Sequence, residues 1–149
     1  MTTTDRPART DIAVQFIGAI PHAHALGMQI DETGSGRVVL SMAYDERFVG
    51  DPATGVIHGG AVSALLDTAA GAAVLLHPSS PGQTATLDLR IDYMRPATPG
   101  QRIRAEAVCY NMTRSVAFVR ATAMDDDDTR PVATAAGAFT VEPMPEARP

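Results

Sequence analysis

The sequence predicts an α+β fold in which an antiparallel sheet of about six strands curls around one long central helix. Three observations carry this. The stretch 61–76 is almost entirely apolar and rich in Ala and Leu, the strongest helix formers, and the chain reaches Pro78 just beyond it. Two short segments of strand pattern precede that stretch. Four longer ones follow it, separated by turn residues at hairpin spacing.

Taken in order, residues 1–9 are polar and read as a disordered leader without the apolar run of a signal peptide. From Thr10 to Ile20 the apolar residues Ile12, Ala13, Phe16, Ile17 and Ile20 recur at helical spacing, with Thr10 or Asp11 as N-cap and Pro21 as the stop. Residues 25–31 and 37–44 read as a first hairpin around the turn Glu32-Thr33-Gly34-Ser35-Gly36. An irregular loop over 48–55 leads into a helix spanning about 59–77. That helix is apolar on every face, which places it in a core. As a membrane span it is short, Ala-rich and interrupted by Asp67, so no membrane partner is expected.

Strand pattern resumes at 84–95, with Leu87, Leu89, Ile91 and Tyr93 on one face and Thr86, Asp88, Arg90 and Asp92 on the other. Strands at 102–110, 115–124 and 132–141 complete a run of consecutive hairpins. The acidic run Asp125 to Asp128 reads as a solvated hairpin tip. One domain over 10–142 follows, with a Pro-rich tail at 143–149.

Composition narrows the function. The net charge of −5 gives no reason to expect nucleic acid or an anionic membrane. All 12 basic residues are Arg, which excludes a catalytic lysine, a lysine Schiff base and a Walker-type phosphate loop. A single Cys, Cys109, excludes an internal disulfide and fits a reducing, cytoplasmic compartment and a core position. His22 and His24 lack a third ligand at metal spacing, and no metal or other cofactor is expected.

Asp67 stands out. It lies mid-way along the apolar helix with no basic residue between His58 and His77. Burying an unpaired carboxylate is costly and raises its pKa unless a partner is supplied.

The motif around that helix resembles the hotdog-fold acyl-CoA thioesterases of the phenylacetic-acid-pathway (PaaI) type. Gly55, His58-Gly59-Gly60 and Asp67, nine residues after the His, match the family pattern. So does the strand end Ile91-Asp92-Tyr93-Met94-Arg95-Pro96-Ala97. Many relatives carry Asn six residues before the His, where this chain has Pro52; Asp51 lies one position earlier. The resemblance implies hydrolysis of an acyl-CoA thioester by a homodimer, with pairing of dimers into a homotetramer. It also implies a substrate-side role for Thr86, where relatives often place a small hydroxyl residue, and one for Asp51.

The chemistry asks for an oxyanion donor and a carboxylate acting as nucleophile or general base. Gly59 and Gly60 at a helix N-terminus offer backbone N–H groups without intrahelical partners. Asp67 supplies the carboxylate, and His58 an orienting or capping group. Gly59 and Asp67 are eight positions apart, about 12 Å along one axis at 1.5 Å per residue. They cannot reach one carbonyl, so the donor and the carboxylate must come from different subunits related by a two-fold axis. Ser63 lacks a His partner and reads as packing or a back-bond. Arg95, Arg102, Arg104 and Arg114 are the candidates for the coenzyme A phosphates. Two other readings stay open: a hotdog hydratase or dehydratase using His58, and a non-catalytic acyl-CoA-binding domain.

Overall fold

The computed structural model describes residues 9–146, so the expected leader lies outside the described residues except at Arg9. The elements are α1 (Arg9–Ala19), α2 (Pro21–Ala25), β1 (Met28–Gly34), β2 (Arg37–Met42), a 3-10 turn (Glu46–Phe48), β3 (Val49–Asp51), β4 (Val56–Ile57) and α3 (Gly59–Leu76). After α3 come β5 (Gly82–Gln83), β6 (Thr86–Tyr93), β7 (Ile103–Met112), β8 (Val116–Met124), β9 (Ala133–Thr140) and β10 (Glu142–Pro143). Pro21 does more than stop α1. It is the first residue of α2, where a missing N–H costs nothing. The tail begins as β10, paired with β5.

Six strands form one antiparallel sheet in the order β1-β2-β7-β8-β9-β6. The expected run of consecutive hairpins holds for β7, β8 and β9. It fails for β6, which pairs with β9 instead of β7 and becomes an edge. The connection after β6 contains Pro96 and Pro99 and is held at its start beside β9, where the Met94 and Arg95 amides donate to Val132 O at 2.9 and 3.3 Å. The chain therefore crosses the end of the sheet before it re-enters as β7.

The helix side of the sheet carries large residues such as Leu40, Met42, Ile103 and Phe139 together with many small ones. Ala105, Ala107, Ala117, Ala121, Ala123, Ala133 and Ala135 are all buried there, and α3 meets them with Ala69, Ala70, Ala72 and Ala73. Alanine is a weak strand former, so packing overrides local propensity at these positions. By length and composition α3 could cross a membrane, but it is the core helix of this sheet. Its cover is incomplete. Val62, Leu65, Leu66, Ala69 and Ala70 are buried, while Ser63, Ala64, Asp67 and Thr68 form a half-exposed stripe.

Two further expectations are corrected. The first concerns β6, where the register slips between Thr86 and Asp88: Thr86 opposes Phe139, and Asp88 opposes Ala138. This bulge reverses the side-chain alternation. Thr86 therefore joins Leu89, Ile91 and Tyr93 on the helix side, while Asp88, Arg90 and Asp92 face away.

The second concerns the acidic run, which is not a solvated tip throughout. Asp125 is buried at 3% exposure and receives both Arg95 Nη1 and Nη2 at 2.7 Å. Thr98 adds its amide at 3.0 Å and its hydroxyl at 2.9 Å, and the Asp127 amide donates at 3.0 Å. Arg95 is thereby committed to the fold and is not a free phosphate ligand. The guanidinium outweighs the cost of burial and holds the Asp125 carboxyl far below the usual carboxylate range.

Because that folded-state value is depressed, the stabilisation is present above the unfolded pKa of about 3.9 and is lost as pH falls toward the folded value. Asp125→Ala should cost about 3 kcal/mol in urea unfolding at pH 7, since it strands a largely buried guanidinium. The deficit should shrink below about pH 4. A variant equal to wild type at pH 7 would contradict the assignment.

Candidate active site

The start of α3 is built by the loop that precedes it. Asp51 closes that loop: its carboxylate accepts from the Ala53 amide at 3.0 Å and the Thr54 hydroxyl at 2.8 Å. Its carbonyl accepts from the Gly55 amide at 2.8 Å. Gly55 turns the chain with φ +78, a left-handed conformation that favours glycine, and Tyr44 donates to its carbonyl at 2.8 Å. His58 N then donates to Phe48 O at 2.8 Å, which sets the entry of the helix.

His58 is the N-cap. Its Nδ1 accepts from Gly60 N at 2.8 Å, and its carbonyl accepts from Ala61 N at 3.0 Å. An accepting Nδ1 means that the neutral ring carries its proton on Nε2. A Cβ on Gly60 would lie 2.8 Å from that Nδ1, so the cap needs a glycine there. The two amides expected to act together therefore differ. Gly60 N–H is occupied by the cap, and Gly59 N–H has no hydrogen-bond partner among the described residues. Gly59 is the open donor.

Tyr93 packs against the same glycine from the edge strand and leaves its amide open. Its hydroxyl donates to Gly59 O at 2.8 Å, its ring lies against Gly59, and Ser63 hydrogen-bonds the same hydroxyl. Ser63 thus bonds a strand, not its own helix. The sequence pattern placed Tyr93 only on a strand face; a polar tip on an otherwise apolar face was the available signal.

Asp67 sits two turns further along, on the half-exposed stripe. Thr86 donates to its Oδ1 at 2.7 Å. Oδ2 has no partner among the described residues. Asp67 and Thr86 are therefore brought together, as are His58, Gly59 and Gly60. The two groups are about 12 Å apart in one chain at the helical rise, and Asp51 joins neither.

Two cavities flank the helix start. One, of about 420 Å³, is lined by Gly59, Val62, Tyr93, Met94, Ala97 and Val132 among others. The other, of about 340 Å³, includes His22, Arg47, Phe48, His58 and Gly60. Arg47, which pairs with Asp45 and lies over the Phe48 ring, is a cation that sequence pattern did not single out. Of the arginines it did, Arg102 donates to Ser41 and Arg104 approaches Asp31 and Asp126 at 3.8 Å. Cys109 is a core residue whose thiol is pushed up by burial. No group of three or more metal-ligating side chains occurs among the described residues.

A bent six-stranded antiparallel sheet around one helix, with an open amide at the helix start and a carboxylate at mid-helix, defines the hotdog class. The chain belongs to the thioesterase superfamily, whose family model matches residues 54–132. It is 34% identical over 122 residues to the Halobacterium salinarum protein VNG_1336C, whose name describes it as a candidate esterase; the match covers 78% of this chain and 81% of that one. It is 27% identical over 122 residues to the medium/long-chain acyl-CoA thioesterase YigI of Escherichia coli, covering 73% and 78% of the two chains. The structure of a mutant of the phenylacetic acid degradation protein PaaI from Thermus thermophilus superposes with a TM-score of 0.73 at 28% identity, covering 83% of this chain and all of that one.

His58→Ala should cost about 1 kcal/mol, the usual value of an N-cap, read by chemical denaturation. His58→Asn, which can cap the same amide, should recover most of it. Equal losses in both variants would contradict the capping role.

Proposed function

We propose that the protein hydrolyses acyl-CoA thioesters, at a site made by Gly59 of one subunit and Asp67 of another. The observation that carries this is the pairing of one open amide at the helix start with one half-open carboxylate eight residues later. Membership of the thioesterase superfamily supports the reaction class, and the acyl-CoA thioesterase relatives support the substrate class.

The thioester carbonyl oxygen accepts from Gly59 N–H, where the helix dipole favours the negative charge that develops. Asp67 Oδ2 then acts in one of two ways. As general base it takes a proton from water, whose oxygen bonds to the carbonyl carbon; the C–S bond breaks, and the thiolate leaves with that proton. As nucleophile it bonds to the carbon itself and expels the thiolate, and water then cleaves the resulting anhydride. Both routes yield free acid and coenzyme A. Thr86 holds Oδ1 and so aims Oδ2. His58 shapes the helix start, and Gly60 makes room for it. Asp51 holds the loop that carries His58.

A homodimer with antiparallel helices satisfies the spacing, and pairing of dimers would give a homotetramer. Two surfaces support the dimer: the half-exposed stripe of α3, and β6, an edge strand with Leu87 at 58% and Tyr93 at 51% exposure. A hydratase would need His58 as an acid–base group, and its Nδ1 is already committed to the cap.

Thiol release from short-chain, medium-chain and phenylacetyl thioesters tests the reading. Asp67→Asn should lose a hundredfold or more in kcat, about 2.7 kcal/mol. Gly59→Pro should lose a comparable factor while staying folded. Proline suits the first helical position, and His58 at φ −58, ψ 134 already has the extended backbone that a following proline requires. Full activity in either variant would contradict the assignment, and no turnover of any thioester by wild type would favour a binding domain.

A further inference from the structure

Beyond Asp67 the same side of α3 runs on toward α1 of its own subunit. One turn on is Gly71, and one turn further is Leu75, on the same side of α3. Gly71 has no side chain, so a neighbour meets the helix backbone directly at that point. The Phe16 ring from α1 rests on it: a Cβ built on Gly71 would sit 3.5 Å from Phe16 Cζ and 4.0 Å from the Thr84 methyl. Thr84 turns its hydroxyl away to Thr140 O at 2.8 Å, so its methyl faces the helix. Beyond the ring lies a cavity of about 440 Å³, lined by Phe16, Leu75, Gln83, Thr84, Ala85 and Met144 among others. Thr84 and Ala85, which link β5 to β6, and Thr86 at the start of β6 join this cavity to the Asp67 hydrogen bond along the chain.

We propose that the cavity beyond Gly71 receives the far end of the acyl chain, and that Phe16 seated on Gly71 sets how long that chain can be. The inference rests on the thioester reading above for the position of the carbonyl at Asp67. Charge decides which arm of the substrate goes where. Among the described residues, the only charged side chain lining this cavity is Glu142, which repels phosphate and carboxylate alike. The cavity beside Gly60 carries Arg47, so the phosphate-bearing coenzyme arm belongs there. One helical turn is about 5.4 Å, the reach of roughly four carbons of an extended chain, and two turns reach roughly eight. Phe16 therefore stands at the point where a short acyl group ends and a medium-length one must pass. The ligand class is an uncharged alkanoyl group entering the cavity past the ring.

The test compares wild type, Phe16→Ala, Phe16→Leu and Gly71→Leu in two assays. One is kcat/KM on butanoyl-, octanoyl- and dodecanoyl-CoA. The other is the affinity of the matching alkyl thioethers of coenzyme A, which cannot be hydrolysed. Phe16→Ala should raise the dodecyl-to-butyl ratio at least tenfold in both assays, and Phe16→Leu should raise it less. Gly71→Leu puts a side chain against the ring, narrows the passage and should lower the ratio at least tenfold. If Phe16→Ala does not fold, the opposite shifts of the other two variants decide. Ratios that stay at the wild-type value in every folded variant overturn the proposal. So does a ratio that instead follows Met94→Ala, in the cavity beside Gly59. If wild type turns over no thioester but the thioether affinities shift as stated, the acyl site stands and the hydrolase reading falls.

Discussion

The molecule depends on close packing between α3 and an alanine-lined sheet. Alanines on both surfaces let helix and sheet approach closely, Leu65, Leu66, Leu76, Leu40, Ile103 and Phe139 fill the remaining space, and the interlocked surface opposes sliding or rolling of the helix. Its N-terminus is then fixed where the 48–58 loop can cap it. Its mid-point is fixed beside the bulge of β6, so that Thr86 reaches Asp67 at 2.7 Å. Both halves of the candidate site are thus set by one packing surface that contains none of the reacting groups.

The same geometry separates those halves. A straight helix cannot bring Gly59 and Asp67 to one atom, whatever the rotamer of the carboxylate. The protomer leaves one stripe of the helix and one sheet edge uncovered beside the two groups. Under the proposed reading both features have one cause: the surface that completes the reaction is also the surface that completes the fold. The Arg95–Asp125 pair belongs to this arrangement too. It holds the crossing that makes β6 an edge strand, and it keeps within the architecture an arginine that would otherwise be free to meet phosphate.

Much of this was legible in the sequence. The helix, the strand order from β7 to β9 and the hotdog resemblance followed from periodicity, the Pro78 stop and the spacing from His58 to Asp67. Three features were not legible. The β6 bulge changes the side-chain alternation at one residue, and alternation counted from sequence assumes that no residue is inserted. Asp125 lies in a run of four acids, where charge density alone argues for solvent; only the long-range contact with Arg95 reverses that. The split between Gly59 and Gly60 was hidden because sequence shows two glycines, whereas the His58 cap chooses between them by geometry. In each case a contact outside the local pattern decided the outcome.

Under the proposed reading one working site takes its amide and its carboxylate from different chains. Mixing Gly59→Pro with Asp67→Asn after reversible unfolding tests it most directly. Random pairing makes half of the dimers mixed, and each mixed dimer holds one intact site of two, so a shared site predicts recovery to about a quarter of wild-type activity. A mixture that stays as inactive as either parent, with mixed dimers confirmed by mass, would mean that the site is not shared between chains.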